Sequence, residues 1–212
     1  MNFVVGFLIL VFQDEKKVFQ ILNIIMNNYS MRKIYIESMP LLQVLFFALD
    51  QLVGIYMPDL HSHFKFENIS SSYYSSSWFL TLFTSSLQYS KDGSIPPLLE
   101  AIWDIFILYN LKGLMKVCLF LIYILKDKLE NQKFDIAMIN FNELFKSDIF
   151  QSEEIAQNLK KMIPFWKITS STLKKYEDDF WRIRNEPIVM KKLLEAENSY
   201  KSDRKFLLNK FI

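Results

Sequence analysis

The sequence predicts an all-α, multi-helix fold on three observations. Only 4 of the 212 residues are glycine and 6 are proline, too few breakers for an all-β sandwich or an α/β nucleotide fold. Half the chain is apolar (51%) and 16% is aromatic, enough to bury a large core and too much for wholesale disorder. Between the breakers, apolar residues recur at helical spacing. The length suits one domain, or one domain with an appendage.

Residues 2–12 form an apolar segment. Gln13-Asp14-Glu15 reads as a turn and helix start, since acids favour a helix N-terminus. A helix is expected over Glu15–Asn27, with Val18, Phe19, Leu22, Ile25 and Met26 on one stripe. Residues 31–39 connect it to a long helix opened by Pro40 and carried by Leu41, Leu42, Leu45, Leu49, Leu52, Val53 and Tyr56. A short amphipathic helix follows Met57-Pro58-Asp59 and runs to Phe66. Residues 68–77, with their two runs of three serines, read by composition as a low-complexity linker.

The segment Trp78–Phe83 is strongly hydrophobic, and 84–95 reads as a polar loop. Pro96-Pro97 opens a helix over Leu98–Tyr109. After a turn at Asn110 comes the most apolar helix, Leu114–Lys126. Further helices are expected at 140–147 with Asn140 as N-cap, from Ser152 to Met162, over Ser170–Arg184 and over Pro187–Tyr200. Residues 128–139 are the best place for a boundary, and no internal repeat is present.

The net charge of +2 does not call for nucleic acid or an acidic membrane. The single cysteine, Cys118, excludes an internal disulfide framework and reads as a buried, inert thiol. The run Phe3–Phe12 lacks a preceding base and a small-residue cleavage site, so it reads as a core helix and not a signal core. It is also far shorter than the roughly 20 residues of a bilayer span. The same holds for Leu114–Leu125, which Lys116 interrupts. The chain is expected to be cytoplasmic, with contact to a membrane or the cytoskeleton left open.

Tyr74-Ser-Ser-Ser-Trp78-Phe79-Leu-Thr-Leu-Phe83, followed by Ala101-Ile-Trp103-Asp104-Ile-Phe106, resembles a segment of the TBC domain of Rab-GTPase-activating proteins. That segment usually reads Y-x-x-Q-W-F-L-T-L-F, then R-I-W-D-x-F. Other blocks agree in order. Met1-Asn2 resembles G-M-N, and Asp14-Glu15 with Phe19 resembles D-E-x-x-A-F. Leu42, Leu45, Leu49-Asp50 and Leu52 resemble L-x-x-L-x-x-x-L-D-x-L. Tyr56-Met57-Pro58-Asp59-Leu60 with His63 and Phe64 resembles Y-x-P-x-L-x-x-H-L. The resemblance is to the C-terminal half of the domain. It is clear over 1–127, extends through 128–180, and leaves 181–212 as a helical extension. It implies a wholly α-helical fold. The motif residues Tyr74, Trp78, Phe79, Phe83 and Trp103 read first as core, and Asp104 as a partner of a backbone N–H or a nearby base.

The resemblance also implies chemistry. TBC proteins supply an arginine that stabilises charge on the transferring phosphoryl group and a glutamine that orients the attacking water. An arginine finger is worth roughly 10³–10⁵ in rate. The family's arginine motif, I-x-x-D-x-x-R, lies upstream of the G-M-N position where this sequence starts. Arg32, Arg182, Arg184 and Arg204 do not match it. The glutamine position, just before Trp78, is Ser77, a shorter side chain without a carboxamide. The expectation is therefore no catalytic residue and a non-catalytic binding or scaffold subunit. Its partner would be a Rab-like small GTPase or a larger protein assembly. The alternative is a fragment of an active Rab GTPase-activating protein whose arginine lies upstream.

No cofactor and no metal is expected. His61, His63 and Asp59 fall short of the three or four ligands of a zinc site. There is no glycine-rich phosphate loop and no nucleophile elbow. Lys160-Lys161, Lys174-Lys175 and Lys191-Lys192 read as solvated helix faces. Phe165, Trp166 and Trp181, among basic helices, could touch a membrane surface, though core packing is the favoured reading.

Overall fold

Helix α4 (Pro40–Tyr56) starts where the fixed φ of proline suits the first turn. It carries a nearly unbroken apolar surface, so other helices pack on several of its sides. Nine of its residues are buried, from Pro40 and Leu41 to Leu52 and Val53. The structure, a computed structural model, describes residues 1–85, 94–146 and 152–184. The helix expected over Pro187–Tyr200, Lys191-Lys192 and most of the 84–95 loop lie outside these residues. Among the described residues the regular structure is entirely helical.

Helices α1 (Asn2–Phe12) and α2 (Glu15–Asn27) form a tight hairpin. Gln13 takes a left-handed conformation, and the Asp14 carboxylate accepts from the Lys16 and Lys17 N–H groups at 2.9 and 3.2 Å. A short helix α3 (Arg32–Tyr35) occupies the connection to α4. Pro58 opens α5 (Pro58–Phe66), which turns back along α4.

The serine-rich stretch is not a linker. Residues Ser71–Thr81 form helix α6, packed on α4. Its buried stripe is Ser71, Tyr74, Ser75 and Trp78, which has the i, i+3, i+4, i+7 spacing of a helix face. Two of those four positions are serines, so composition hides the periodicity. The hydroxyls are satisfied within the helix and against α4. Ser75 Oγ donates to the Ser71 carbonyl at 2.7 Å, and Ser71 Oγ to the Phe46 carbonyl at 2.9 Å.

Helix α7 (Pro97–Tyr109) and helix α8 (Leu111–Leu129) pack as an antiparallel pair through the turn at Asn110. They approach closely at Gly113, where an added Cβ would lie 2.5 Å from the Ile105 carbonyl oxygen. The middle of α8 is buried continuously from Val117 to Ile122. Cys118 lies there, and burial pushes its thiol well above the ordinary cysteine value.

Helix α9 (Phe134–Glu143) begins earlier than the helix expected at 140–147, and it continues as a 3-10 turn over Leu144–Lys146. Asn140 is not its cap. It lies in the last turn, where its amide donates to the Lys128 carbonyl at 2.7 Å. Helix α10 (Glu153–Met162) packs on α7, and α11 (Ser170–Arg184) on α4. The Phe47–Phe180 contact, 5.7 Å between ring centroids, belongs to the second of these joints. No described helix is long and apolar enough to cross a membrane.

Candidate functional site

Ser77 lies on the exposed side of α6, immediately before the buried Trp78. Its backbone carbonyl accepts from Thr81 Oγ1 at 2.7 Å, inside the regular turn of the helix. The helix then ends abruptly. Leu82 (φ 49°) and Phe83 (φ 65°) both adopt left-handed conformations, and the Phe83 N–H reaches back to the Trp78 carbonyl at 3.1 Å. Such a conformation costs a bulky L-residue about 1–2 kcal/mol. Burial of both side chains, each at most 1% exposed, holds the strain in place.

The buried side of α6 fixes this edge. Tyr74 stacks on Phe141 with ring centroids 4.2 Å apart and planes within 7°. Trp78 packs on Phe83 at 5.5 Å and on Phe145 at 5.9 Å. Phe79 faces α4 through Phe46 at 6.0 Å. Aromatic pairs of this kind add about 0.5–1.5 kcal/mol each beyond the area they bury. Trp103 stands in a different cluster. It packs on Phe7 of α1 at 4.4 Å and on Phe106 at 6.1 Å. Tyr74, Trp78, Phe79 and Phe83 thus share one neighbourhood, and Trp103 joins α7 to α1 elsewhere. Asp104 is exposed, and its carboxylate accepts from Lys160 Nζ at 3.0 Å. Both side chains are more than half exposed (59% and 54%), so this pair contributes about 0–1 kcal/mol.

The family resemblance covers Asp50 and gives it no role. It is the only charged residue of α4, and that isolation was the available signal. Its carboxylate accepts from the Ser71 N–H at 3.3 Å, at the first turn of α6. Burial holds its carboxyl above the ordinary carboxylate value, opposed by the Ser71 hydrogen bonds and the charge of Lys65. Phe141 and Phe145 lie outside the matched motifs. They complete the aromatic cluster from α9 and its 3-10 extension.

His63 Nε2 bonds the Gln132 carbonyl at 2.8 Å, and the His61 ring packs over Gly54. No group of three or more His, Cys, Asp or Glu among the described residues is placed to hold a metal ion. Arg182 pairs with Asp179 at 2.6 Å and Arg184 bonds Gln43. Arg204 lies outside the described residues.

The family model of the Rab-GTPase-TBC domain matches residues 1–130. The chain belongs to that family. Among curated relatives, the Ecotropic viral integration site 5 ortholog of Drosophila melanogaster is 29% identical over 179 residues, 84% of this chain and 21% of the relative. Rab GTPase-activating protein eat-17 of Caenorhabditis elegans is 28% identical over 218 residues, 95% of this chain and 23% of the relative. TBC1 domain family member 1 of Homo sapiens is 35% identical over 85 residues, 40% of this chain and 7% of the relative. The chain spans about a fifth of the length of the first two. The helical structure described above is therefore a TBC-type fold, and its motif residues are built into the core, with Asp104 and Ser77 at the surface.

Proposed function

We propose that this TBC-like chain is a non-catalytic binding or scaffold module, whose partner is a Rab-like small GTPase or a fixed protein assembly in the cytoplasm. The observation that carries the proposal is Ser77. It stands on the exposed side of α6, at the position that the sequence resemblance matches to the family's water-orienting glutamine. A serine hydroxyl is shorter than a carboxamide and cannot accept from and donate to a water with two separate atoms. The arginine motif I-x-x-D-x-x-R does not occur within the 212 residues. Residues 128–180 complete the TBC-like unit in this reading, through α9 against α6 and α10 against α7.

The scaffold side of the proposal has its own support. Helix α1 contains no charged residue, yet Phe3, Ile9, Leu10, Val11 and Phe12 are exposed on it. Phe19 of α2 is 72% exposed. So many exposed apolar side chains on one helix suit a face that another surface covers, whether a partner's or another part of the same protein.

The test is native purification of the endogenous protein with peptide mass spectrometry, followed by single-turnover GTP hydrolysis with the co-purifying GTPase. The expected result is a constant partner set, or nucleotide-dependent GTPase binding, with hydrolysis at its intrinsic rate. Peptides upstream of Met1 carrying I-x-x-D-x-x-R, together with a tenfold or greater acceleration, would establish an active GTPase activator instead.

A further inference from the structure

At the corner between α7 and α8, apolar side chains stand in solvent beside lysines. Leu108 is 73% exposed at the end of α7. Pro164, in the turn after α10, lines with it an open groove of about 420 Å³. The next residue, Phe165, is 67% exposed. Lys116 of α8 reaches this turn, donating from Nζ to the Ile163 carbonyl at 3.2 Å and lying 5.7 Å from the Tyr109 ring centroid. Lys112 is one helical turn earlier and on the same side of α8. Burial, with the like charge of Lys112 second, holds the Lys116 ammonium below the usual lysine value. Among the described residues neither lysine has a carboxylate within ion-pair distance.

Two adjacent cations with no carboxylate in ion-pair distance, beside protruding leucine and phenylalanine side chains and an Asp104 carboxylate already paired with Lys160, suit a surface that offers anions above an apolar layer. A helical peptide fits the site less well. It needs a continuous apolar wall, and here the Asp104–Lys160 pair lies along the groove. We propose that this corner docks on an anionic lipid bilayer. Leu108 and Phe165 enter the boundary between headgroups and acyl chains, and Lys112 and Lys116 meet the anionic headgroups. The proposal is independent of whether the chain activates a GTPase.

The test is co-sedimentation of the 212-residue chain with vesicles of phosphatidylcholine, alone or mixed with phosphatidylserine. Binding to the mixed vesicles is expected, with little to the neutral ones. Each basic residue at an anionic leaflet is worth roughly fivefold, so K112Q with K116Q is expected to weaken binding roughly thirtyfold. K112E alone, which leaves the Lys116–Ile163 bond in place, is expected to weaken it roughly tenfold or more. L108S with F165S removes the inserted side chains and is expected to cost roughly tenfold or more. Circular dichroism of each variant confirms that the helices persist. A chain that binds neither vesicle, binds both equally, or keeps its affinity in all the variants overturns the proposal.

Discussion

The ring of Tyr74 lies flat on Phe141, 4.2 Å away between centroids, and joins α6 to α9. Its hydroxyl is buried with no hydrogen-bond partner among the described residues, and burial raises its pKa well above the ordinary tyrosine value. The stack and the hydroxyl therefore pull in opposite directions. Phe141→Ala removes the stack and is expected to destabilise the fold by about 3–5 kcal/mol. Tyr74→Phe keeps the stack and removes an unsatisfied group, with an expected gain of about 1 kcal/mol. Urea denaturation of the two variants checks both signs. A loss of stability in Tyr74→Phe would show that the hydroxyl has a partner.

Asp50 gives the fold a pH dependence. Its carboxyl is raised by burial, so the folded chain holds this proton more tightly than the unfolded chain does. Between the ordinary value of 3.8 and the raised value, the folded state binds more protons. The Asp50 contribution is thus greatest below that window and falls as pH rises through it. Asp50→Asn still accepts from the Ser71 N–H but does not titrate. The variant is expected to flatten this part of the stability curve and to match or exceed the parent at neutral pH. Thermal unfolding as a function of pH would reveal it. An unchanged slope removes Asp50 as the cause.

These two residues also mark where the sequence was legible. Helices α2 and α11 match the bounds the sequence predicts, α4 its predicted start and α5 its predicted end, because proline, Asp14 or serine starts each beside a clear apolar stripe. Helix α6 was hidden from compositional reading, because Ser71 and Ser75 occupy buried positions and their hydroxyls bond inside the protein. Only the family motif through Trp78 pointed to ordered structure there. Helix α9 was misplaced because Lys133 caps it without a side-chain hydrogen bond, whereas Asn140 is a good N-cap residue that here bonds Lys128. The aromatic cluster could not be assembled from sequence, since Phe141 and Phe145 reach Tyr74 and Trp78 only through the path of α8.

Gly113 is a packing requirement more than a flexibility requirement. Alanine normally improves a helix interior by about 1 kcal/mol over glycine. Here its methyl group would meet the Ile105 carbonyl oxygen at 2.5 Å and the Tyr109 Cβ at 2.9 Å. The first of these is backbone in the middle of α7 and has no room to yield. Gly113→Ala is expected to destabilise by about 1–3 kcal/mol through separation of the α7–α8 pair. Denaturant midpoints decide between this and the opposite shift expected from helix propensity alone.

Ser77→Gln separates structure from chemistry at the position that the proposed function matches to the family's glutamine. The residue is exposed within α6, and glutamine is a slightly better helix former than serine, so stability is expected to change by less than about 0.5 kcal/mol. Introducing a carboxamide alone is expected to leave hydrolysis by a Rab-type GTPase within roughly threefold of its intrinsic rate, because the 212 residues contain no match to the motif I-x-x-D-x-x-R and an arginine finger is worth about 10³–10⁵. The informative comparison is single-turnover hydrolysis with Ser77→Gln, in the presence and absence of free guanidinium as a stand-in for an arginine side chain. Acceleration only with guanidinium would show that the α6 surface still positions a water against the nucleotide. Acceleration by the substituted chain alone would mean that another of its arginines reaches the phosphate, and the non-catalytic reading would fail.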